Sequence, residues 1–285
     1  MKTPPLISIR SEDNNFQRAD VIKRNREKRF RYGQFLVEGV SQITLAMENG
    51  WVFEAILFAA GRKLSSWASQ VLAQANARVH YELPPNLLAK LSEKDDPSEL
   101  LAVVEMRKLV PAQIPALSGG LVVAFDRPAS PGNLGSSIRS ADAFGVQGVI
   151  VTGHAVDVYD PYVVRGSMGA LFSTPVATAQ SHVDVSDWVT AARASGHDFQ
   201  VIGSSGKTDT LLSSQDLTRP TLVVLGNETV GMSKGYWDIC DAVVKIPIVG
   251  TLSSLNVSCA ASILLYEVTR QRAAALAASG TLTTT

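Results

Sequence analysis

The second half of the chain contains a series of short, almost wholly apolar segments that alternate with helical patterns. Strands that are apolar on both faces belong to a buried sheet, and their alternation with helices predicts a mainly parallel sheet. Ligands of such sheets bind at the carboxyl ends of the strands, so the loops that follow the strands are where a site is expected. The predicted strands are 121–125 (LVVAF), 148–151 (GVIV), 199–203 (FQVIG), 221–226 (TLVVLG) and 242–248 (AVVKIPI), and the predicted helices lie near 133–144, 184–195, 233–240 and 254–272.

The first half alternates strand and helix patterns over shorter distances, which predicts a smaller N-terminal α/β domain. Prolines and glycines spread through residues 107–120 are typical of a linker. We therefore predict an N-terminal domain over 14–106, a linker over 107–120 and a second domain over 121–273, with frayed ends at 1–13 and 274–285. The predicted N-terminal strands are 35–38, 52–58, 77–80 and 100–106, and the predicted helices are 15–28, 41–48, 64–74 and 84–91.

Composition narrows the class of protein. A chain of 285 residues that is 46% hydrophobic is long enough for about two domains with buried cores. No run approaches the roughly 18 to 20 apolar residues that span a bilayer, and the first residues lack the apolar core of a secretory signal, so a cytoplasmic protein without a membrane partner is expected. The two cysteines and four histidines are scattered without metal-ligand spacing, so neither a disulfide framework nor a metal site is expected.

Basic residues are concentrated near the N-terminus although the net charge is zero. A patch of this kind suits a polyanion such as RNA, but a solvated helix face without a partner has the same pattern, and charge alone does not separate the two. The aromatic residues Phe30 and Tyr32 interleave with the basic ones and are candidates for stacking on bases, whereas Phe35 is expected in the core. Loops near Gly33, Glu38 and Gly39 are expected to shape the same surface. The candidate RNA-binding residues here are Arg18, Lys23, Arg24, Arg26, Lys28, Arg29 and Arg31.

Three common nucleotide and hydrolase motifs are absent. The segment GSSGKT at 203–208 resembles a phosphate-binding loop, but that loop needs a glycine where this chain has Val201. The glycines of PGNLGSS and FGVQG do not form G-x-G-x-x-G, which disfavours a dinucleotide-dependent dehydrogenase. No G-x-S-x-G is present, so a hydrolase of that kind is disfavoured as well.

Polar residues are concentrated in three loops that follow predicted strands. The first loop leads to Asn133 and Arg139, the second contains Glu228, and the third contains Ser254 and Asn256. Taken one at a time, the serine and asparagine residues also suit helix N-caps, and the glutamate suits the first turn of a helix. The individual residues therefore leave a structural role open.

Taken together, the three loops are more specific. PGNLGSSIRSADAFG, LGNETVGMS and IPIVGTLSSLNVSCAASILLYEVTRQR resemble, in order and spacing, the three motifs of the SpoU/TrmH (SPOUT) family of RNA 2'-O-ribose methyltransferases. The resemblance covers 121–272, and the preceding module is similar to the ribosomal-protein-like RNA-binding domain of many members. Through LVVAFDRPASPGNLGSSIRSADAFG and GHAVDVYDP, the chain looks closest to the avilamycin-resistance class, which modifies 23S ribosomal RNA.

The resemblance implies a fold, a cofactor and partners. It implies a C-terminal trefoil knot, which is a rare exception to the rule against knotted chains, and a homodimer. It also implies S-adenosylmethionine bound by the knotted loops, catalytic roles for Asn133, Arg139, Glu228, Ser254 and Asn256, and RNA contact by Arg165. Arg139 of one subunit is expected to act beside the cofactor of the other. The implied cofactor-binding residues are Leu225, Gly226, Asn227, Ile246, Pro247, Ser254, Leu255 and Asn256.

Methyl transfer from a sulfonium is an in-line displacement that needs no metal, so most of the rate gain can come from positioning. The resemblance assigns activation of the ribose hydroxyl to Arg139. A guanidinium titrates above about 12, so it is a poor general base. We favour the hypothesis that Arg139 clamps an RNA phosphate and polarises the 2'-hydroxyl.

Two alternatives stay open at this stage. Within the enzyme class, transfer RNA is an alternative substrate, and the separate N-terminal domain favours ribosomal RNA over it. In another class, a non-catalytic RNA-binding protein with the same fold is disfavoured, because Arg139, Glu228 and Asn256 are all present. Antibiotic resistance as the biological role is implied by the resemblance alone.

Overall fold

The structure is a computed structural model that describes residues 4–279. The described strands, in chain order, are β1 (Leu6–Ser8), β2 (Gln34–Glu38), β3 (Phe53–Ala59), β4 (Ala77–Leu83), β5 (Leu100–Glu105), β6 (Leu121–Asp126), β7 (Gly148–Thr152), β8 (Val176–Ala179), β9 (Gln200–Ser204), β10 (Thr221–Leu225) and β11 (Ala242–Val244). The described helices are α1 (Asn14–Arg24), α2 (Arg26–Tyr32), α3 (Val40–Glu48), α4 (Ser66–Gln74), α5 (Pro85–Leu91), α6 (Pro131–Ala143), α7 (Pro161–Gly166), α8 (Ala170–Ser173), α9 (His182–Ala194), α10 (Lys234–Ile239) and α11 (Val257–Ala278).

The chain divides into two compact units. The first contains the described residues up to Arg107 together with Asp157–Ser173, and the second contains Lys108–Val156 and the described residues from Thr174 onward. This division differs from the contiguous one expected from the linker, because Asp157–Ser173 packs with the first unit. Within 107–120 the regular structure is a single short 3-10 turn, Pro111–Gln113. Within 4–279, none of the helices combines the length and the apolar character that crossing a membrane requires.

The first unit is built on a mixed five-stranded sheet with the order β1-β4-β3-β5-β2. Strands β1, β3 and β4 are parallel, whereas β5 runs antiparallel to both of its neighbours, β3 and β2. Residues 6–8, which we expected to be frayed, form the edge strand β1, because Leu6 to Ser8 pair with His80 to Glu82. Residues 1–3 of the predicted N-terminal fraying lie outside the described residues.

The basic segment forms two helices rather than the single predicted one. Asn25 lies between α1 and α2 with extended backbone angles, φ −122° and ψ 113°. Its side-chain oxygen accepts a hydrogen bond from the amide of Lys28 at 3.0 Å, which caps the start of α2. Asparagine is a favoured N-cap, so this one residue ends the first helix and begins the second.

The inserted segment Asp157–Ser173 is held in the first unit by a buried ion pair and an aromatic cluster. Arg29 Nε lies 2.7 Å from Asp157 Oδ2, and the two side chains are 3% and 2% exposed. Phe35 and Tyr159 pack with ring centroids 4.6 Å apart, and the cluster continues to Trp51 and Phe172. The indole nitrogen of Trp51 also donates to the carbonyl of Phe172 at 3.0 Å. Phe35 is fully buried, which confirms its predicted place in the core.

The second unit is built on a six-stranded, wholly parallel sheet with the order β11-β9-β10-β6-β7-β8. The mainly parallel sheet predicted from the apolar strands is therefore confirmed. The last predicted strand, 242–248, is wrong beyond Val244, because the chain turns out of the sheet there and the amide of Lys245 donates to Thr210. Helix α11 runs to Ala278, so the fraying expected from 274 is wrong up to that residue. The part of that expectation at 280–285 lies outside the described residues.

Candidate functional site

The loops that follow β9, β10 and β11 open onto one cavity in the second unit. Its volume is about 720 Å³, within the usual size of small-molecule sites. The predicted polar residues Asn133, Glu228, Ser254 and Asn256 all line it. The other lining residues are Ser204, Ser205, Gly206, Lys207, Leu225, Gly226, Asn227, Thr229, Val230, Gly231, Ile246, Ile248, Ser253, Leu255, Val257 and Ala260.

Glu228 is held at the N-terminus of α6. Its carboxylate accepts hydrogen bonds from the amides of Ala129 at 2.9 Å and Ser130 at 3.1 Å, and from the side-chain amide of Asn133 at 3.2 Å. Partial burial acts to raise the pKa of Glu228, but these hydrogen bonds outweigh it and leave the pKa below its ordinary value. Glu228 is therefore ionised at neutral pH, where it complements the unpaired amides of the helix end.

The side-chain amide of Asn133 joins the three predicted loops. Its nitrogen donates to Glu228, and its oxygen accepts a hydrogen bond from the side chain of Asn256 at 2.9 Å. Asn256 in turn caps α11, because its oxygen accepts from the amide of Ser258 at 2.8 Å. The network Glu228–Asn133–Asn256 thus ties the start of α6 and the start of α11 to the loop after β10. The sequence left helix capping and site formation as alternatives. In the structure, Glu228 and Asn256 serve both purposes.

The loop after β10 approaches its own backbone so closely that Gly226 has no room for a side chain. A Cβ at this position would lie 2.2 Å from the amide nitrogen of Met232. Asn227 closes the loop, because its side-chain oxygen accepts from the amides of Thr229 at 2.9 Å and Val230 at 3.1 Å. This loop therefore presents backbone groups rather than side chains along part of the cavity.

Glu228→Gln is expected to make the free energy of unfolding less dependent on pH in the acid range. Because the folded-state pKa lies below the ordinary value of 4.5, ionised Glu228 stabilises the fold above that pH. This contribution is lost as the pH falls below 4.5 and through the folded-state pKa. The free energy of unfolding, measured by urea denaturation, should fall more steeply between pH 7 and pH 3 for the wild type than for the variant. Asp238→Asn, which removes an exposed partner of Lys234, is the matched control. Parallel curves for the wild type and Glu228→Gln would contradict the inferred role.

Two of the predicted site residues lie outside the cavity lining. Pro247 is exposed in the loop after β11, next to Ile246 and Ile248, which do line the cavity. Arg139 is exposed on α6 and makes no hydrogen bond or ion pair with another described residue. The turn after β9, residues 205–207, was missed from the sequence, because this segment was considered only as a phosphate loop. The rule that sites follow parallel strands would have included it.

The predicted RNA-binding residues divide into exposed and internally bound groups. Arg29 is 3% exposed and its guanidinium contacts Asp157, so the prediction that it contacts RNA is wrong. The Lys23 ammonium donates to the carbonyls of Lys90 and Ser92 and lies 3.4 Å from Glu93, so it is also used within the protein. The rest are exposed or half-buried: Arg18, Arg24, Arg26, Lys28 and Arg31 on α1 and α2, and Arg165 on α7.

Two of these arginines stack on aromatic rings at the surface. The Arg18 guanidinium lies 5.0 Å from the centre of the Tyr32 ring, and that of Arg26 lies 5.6 Å from the Phe30 ring. Both rings are partly exposed, at 38% for Tyr32 and 43% for Phe30. The N-terminal patch therefore combines positive charge with planar groups, which is the combination that single-stranded nucleic acids contact.

Comparisons with known proteins match most of the chain, including both units. The model of the SpoU rRNA Methylase family matches residues 120–266, and that of the SpoU L30e-like domain matches residues 13–102. The 23S rRNA (uridine(2479)-2'-O)-methyltransferase of Streptomyces viridochromogenes is 45% identical over 272 residues, which cover 95% of this chain and 94% of that protein. The resemblance stated from the three loops is thereby confirmed.

Solved structures agree. The SpoU methyltransferase AviRb from Streptomyces viridochromogenes, in complex with AdoMet, superposes with a TM-score of 0.87 at 45% identity, covering 92% of this chain and 98% of that one. The AdoMet-bound rRNA methyltransferase from Sinorhizobium meliloti superposes with a TM-score of 0.84 at 26% identity, covering 93% and 98%. Two such structures, at different sequence distances, share the fold of both units with this chain.

Proposed function

This chain belongs to the SpoU rRNA methylase family, and from that premise we propose that it transfers a methyl group from S-adenosylmethionine to a ribose 2'-hydroxyl of 23S ribosomal RNA. The observation that carries this proposal is the Glu228–Asn133–Asn256 network, which brings the three family motifs together at one cavity. The proposed nucleotide is a uridine, by similarity to the relative that acts on uridine in 23S rRNA.

The cavity fits the cofactor. Leu225, Ile246 and Leu255 supply apolar surface for an adenine ring, while the crowded glycine loop at Gly226 supplies backbone donors and acceptors. Ser254 adds a hydroxyl to the lining. S-adenosylmethionine, when bound, supplies an electrophilic methyl group on a sulfonium. The protein has to hold that ligand, exclude water and align the acceptor oxygen, and this positioning supplies most of the rate gain.

In this proposal Glu228 is a positioning residue rather than the proton acceptor. Its carboxylate already accepts three hydrogen bonds, two of them from the backbone at the start of α6. Anchoring that helix start also fixes the side-chain amide of Asn133, which faces the cavity between Glu228 and Asn256. Asn133 and Asn256 are the groups that orient the ribose.

Arg139 is the proposed activating group, acting on the RNA bound at a second copy of the chain. Its exposure on α6, outside the lining of its own cavity, supports action in trans within a homodimer. Apolar side chains at the surface of the second unit also support an interface: Val249 is 103% exposed and Leu252 is 76% exposed.

Family membership supports two further proposals. The first is that the C-terminal stretch forms a trefoil knot. The second is that the catalytic domain spans 121–273, after an RNA-binding domain over 14–106 and a linker over 107–120.

Arg18→Ala and Arg26→Ala are expected to weaken RNA binding without affecting the cofactor site. Each removes one stacked cation from the N-terminal patch, so each should lower the slope of log K against log salt concentration by about one. Titration of fluorescently labelled 23S rRNA fragments between low and high salt measures this. Arg62→Ala, an exposed residue outside the patch, is the control. Salt slopes equal to that of the wild type would contradict RNA contact at this patch.

The proposed biological role is protection of the ribosome from an antibiotic, by similarity to the avilamycin-resistance class. A ribosomal RNA substrate supports the further proposal that the protein acts in the cytoplasm. This role is tested by comparing drug susceptibility of a sensitive host that expresses the wild type with one that expresses Arg139→Ala. Equal susceptibility would contradict the resistance role and leave the methyl transfer itself unaffected.

The reaction is tested by transfer of radiolabelled methyl from S-adenosylmethionine to protein-free 23S rRNA and to bulk transfer RNA. Label at a ribose 2'-oxygen of 23S rRNA, lost in Arg139→Ala, is the expected result. Label in transfer RNA alone would contradict the proposed substrate. Binding of RNA without label in any substrate, including assembled ribosomal subunits, would contradict enzymatic activity.

A further inference from the structure

Among the described residues, two charged side chains line the cofactor cavity. Glu228 is one of them, and Lys207, in the turn after β9, is the other. The Glu228 carboxylate is occupied by hydrogen bonds from Ala129, Ser130 and Asn133. The Lys207 side chain is exposed and makes no hydrogen bond or ion pair with another described residue. A lysine in the wall of a ligand cavity that has no acidic partner in the described part of the chain is suited to pair with an anionic group of the ligand.

The turn that carries Lys207 is anchored at the cavity. The amide of Ser205 donates to the carbonyl of Val244 at 3.0 Å, and the amide of Lys207 donates to the hydroxyl of Ser205 at 3.2 Å. A Cβ built on Gly206 would lie 3.7 Å from the carbonyl oxygen of Ser253, which also lines the cavity. The turn therefore lies close to the loop that precedes α11, and its position does not depend on the lysine side chain.

The two charges lie on opposite flanks of β10. Glu228 is held by the start of α6, which follows β6, whereas Lys207 follows β9. The sheet order β9-β10-β6 puts β10 between them. The cavity thus has a negative side, next to the residues that orient the ribose, and a positive side at the turn after β9. A ligand with a cationic centre and a separate anionic end complements this arrangement.

We propose that Lys207 binds the carboxylate of the methionine moiety of S-adenosylmethionine, and this inference rests on the proposed function. The carboxylate is the ligand's only anionic group, and the sulfonium and ammonium are its cationic ones. Pairing the carboxylate with Lys207 directs the cationic part of the ligand toward the side of the cavity that carries Glu228. The methyl group is then presented next to Asn133, where the acceptor is expected.

Isothermal titration calorimetry of the full chain tests this assignment without measuring activity. Lys207→Gln should weaken binding of S-adenosylmethionine about tenfold, the size of a partly exposed charge-assisted hydrogen bond. Binding of decarboxylated S-adenosylmethionine, which lacks only the carboxylate, should be the same in the wild type and the variant. Lys207→Arg, which keeps the charge, should restore most of the affinity for S-adenosylmethionine.

Lys234→Gln is the matched control, because Lys234 pairs with Asp238 on α10 and does not line the cavity. An equal loss of affinity for both ligands in Lys207→Gln would overturn the proposal, and so would unchanged binding of S-adenosylmethionine. A loss confined to RNA binding would also overturn it, because it would assign Lys207 to an RNA phosphate. If the wild type bound neither ligand, the proposed function itself would fail, which is a distinguishable result.

Discussion

Arg139→Ala is expected to lower the rate of methyl transfer by roughly 10²–10³-fold, the loss that follows removal of one activating contact at a reacting oxygen. Affinity for S-adenosylmethionine should not change, because the proposed contacts of Arg139 are with the RNA phosphate and the 2'-hydroxyl rather than with the cofactor. Single-turnover transfer of labelled methyl to 23S rRNA, with cofactor binding measured in parallel, separates the two quantities. Loss of cofactor affinity equal to the loss of rate would contradict a role confined to the acceptor.

Arg139→Lys distinguishes a clamp from a simple positive charge. A lysine keeps the charge but lacks the planar fork that holds a phosphate through two hydrogen bonds, so it should recover little of the lost rate. Near-normal turnover of Arg139→Lys would contradict the clamp. Arg219→Ala is the control, because Arg219 pairs with Asp198 at the surface of the same unit. Mixed dimers of Arg139→Ala with a cofactor-site variant would test action in trans, since one active site should be restored.

Asp157→Ala is expected to destabilise the first unit by about 3–5 kcal/mol, the usual result of removing one partner of a buried ion pair. Arg29 would remain buried without its close carboxylate partner, and would keep the longer contact of 3.4 Å with Asp160, whose side chain is 26% exposed. The contacts of Arg29 with the carbonyls of Ile22 and Lys23, both at 3.0 Å, do not replace the lost negative charge. Urea denaturation followed by circular dichroism measures the change in the free energy of unfolding.

Replacing both partners of the ion pair tests whether an unpaired buried charge causes the loss. Arg29→Met combined with Asp157→Leu should be more stable than Asp157→Ala alone, because neither charge is then left unpaired. Glu12→Gln, which breaks an exposed pair with Lys90, should change stability by less than about 1 kcal/mol. A loss in Asp157→Ala as small as that in Glu12→Gln would show that the buried pair does not hold the inserted segment.

The fold of the second unit could be predicted from sequence wherever strands are long and apolar on both faces. The strands β6, β7, β9 and β10 were placed within about one residue for this reason. The short edge strand β8 of this unit was not predicted, and neither were the helices α7 and α8 of the segment that packs with the first unit, of six and four residues, because such brief segments show no clear period. The boundary between α1 and α2 at Asn25 was also missed, because it lies within a basic segment whose charge pattern does not indicate a helix cap.

The site could be predicted as a set of residues but not as a network. The contact between Asn133 and Asn256 joins residues 123 positions apart, and nothing in their local spacing indicates it. Arg29 was assigned to RNA because a run of basic residues does not reveal which of them faces inward. Its acidic partner, Asp157, lies 128 residues away along the chain. That residue belongs to a segment that joins the first unit only through tertiary packing, which local sequence patterns do not reveal.

Because Asp157–Ser173 packs with the first unit, recombination cannot exchange that unit of this chain as one continuous segment. A chimera that swaps only the chain up to Arg107 would bring in a foreign surface opposite Asp157, Tyr159 and Phe172. The incoming module would lack the partners that Arg29 and Phe35 supply here. The first unit is therefore encoded by two separate stretches of the gene, and both have to be exchanged together if these buried contacts are to be kept.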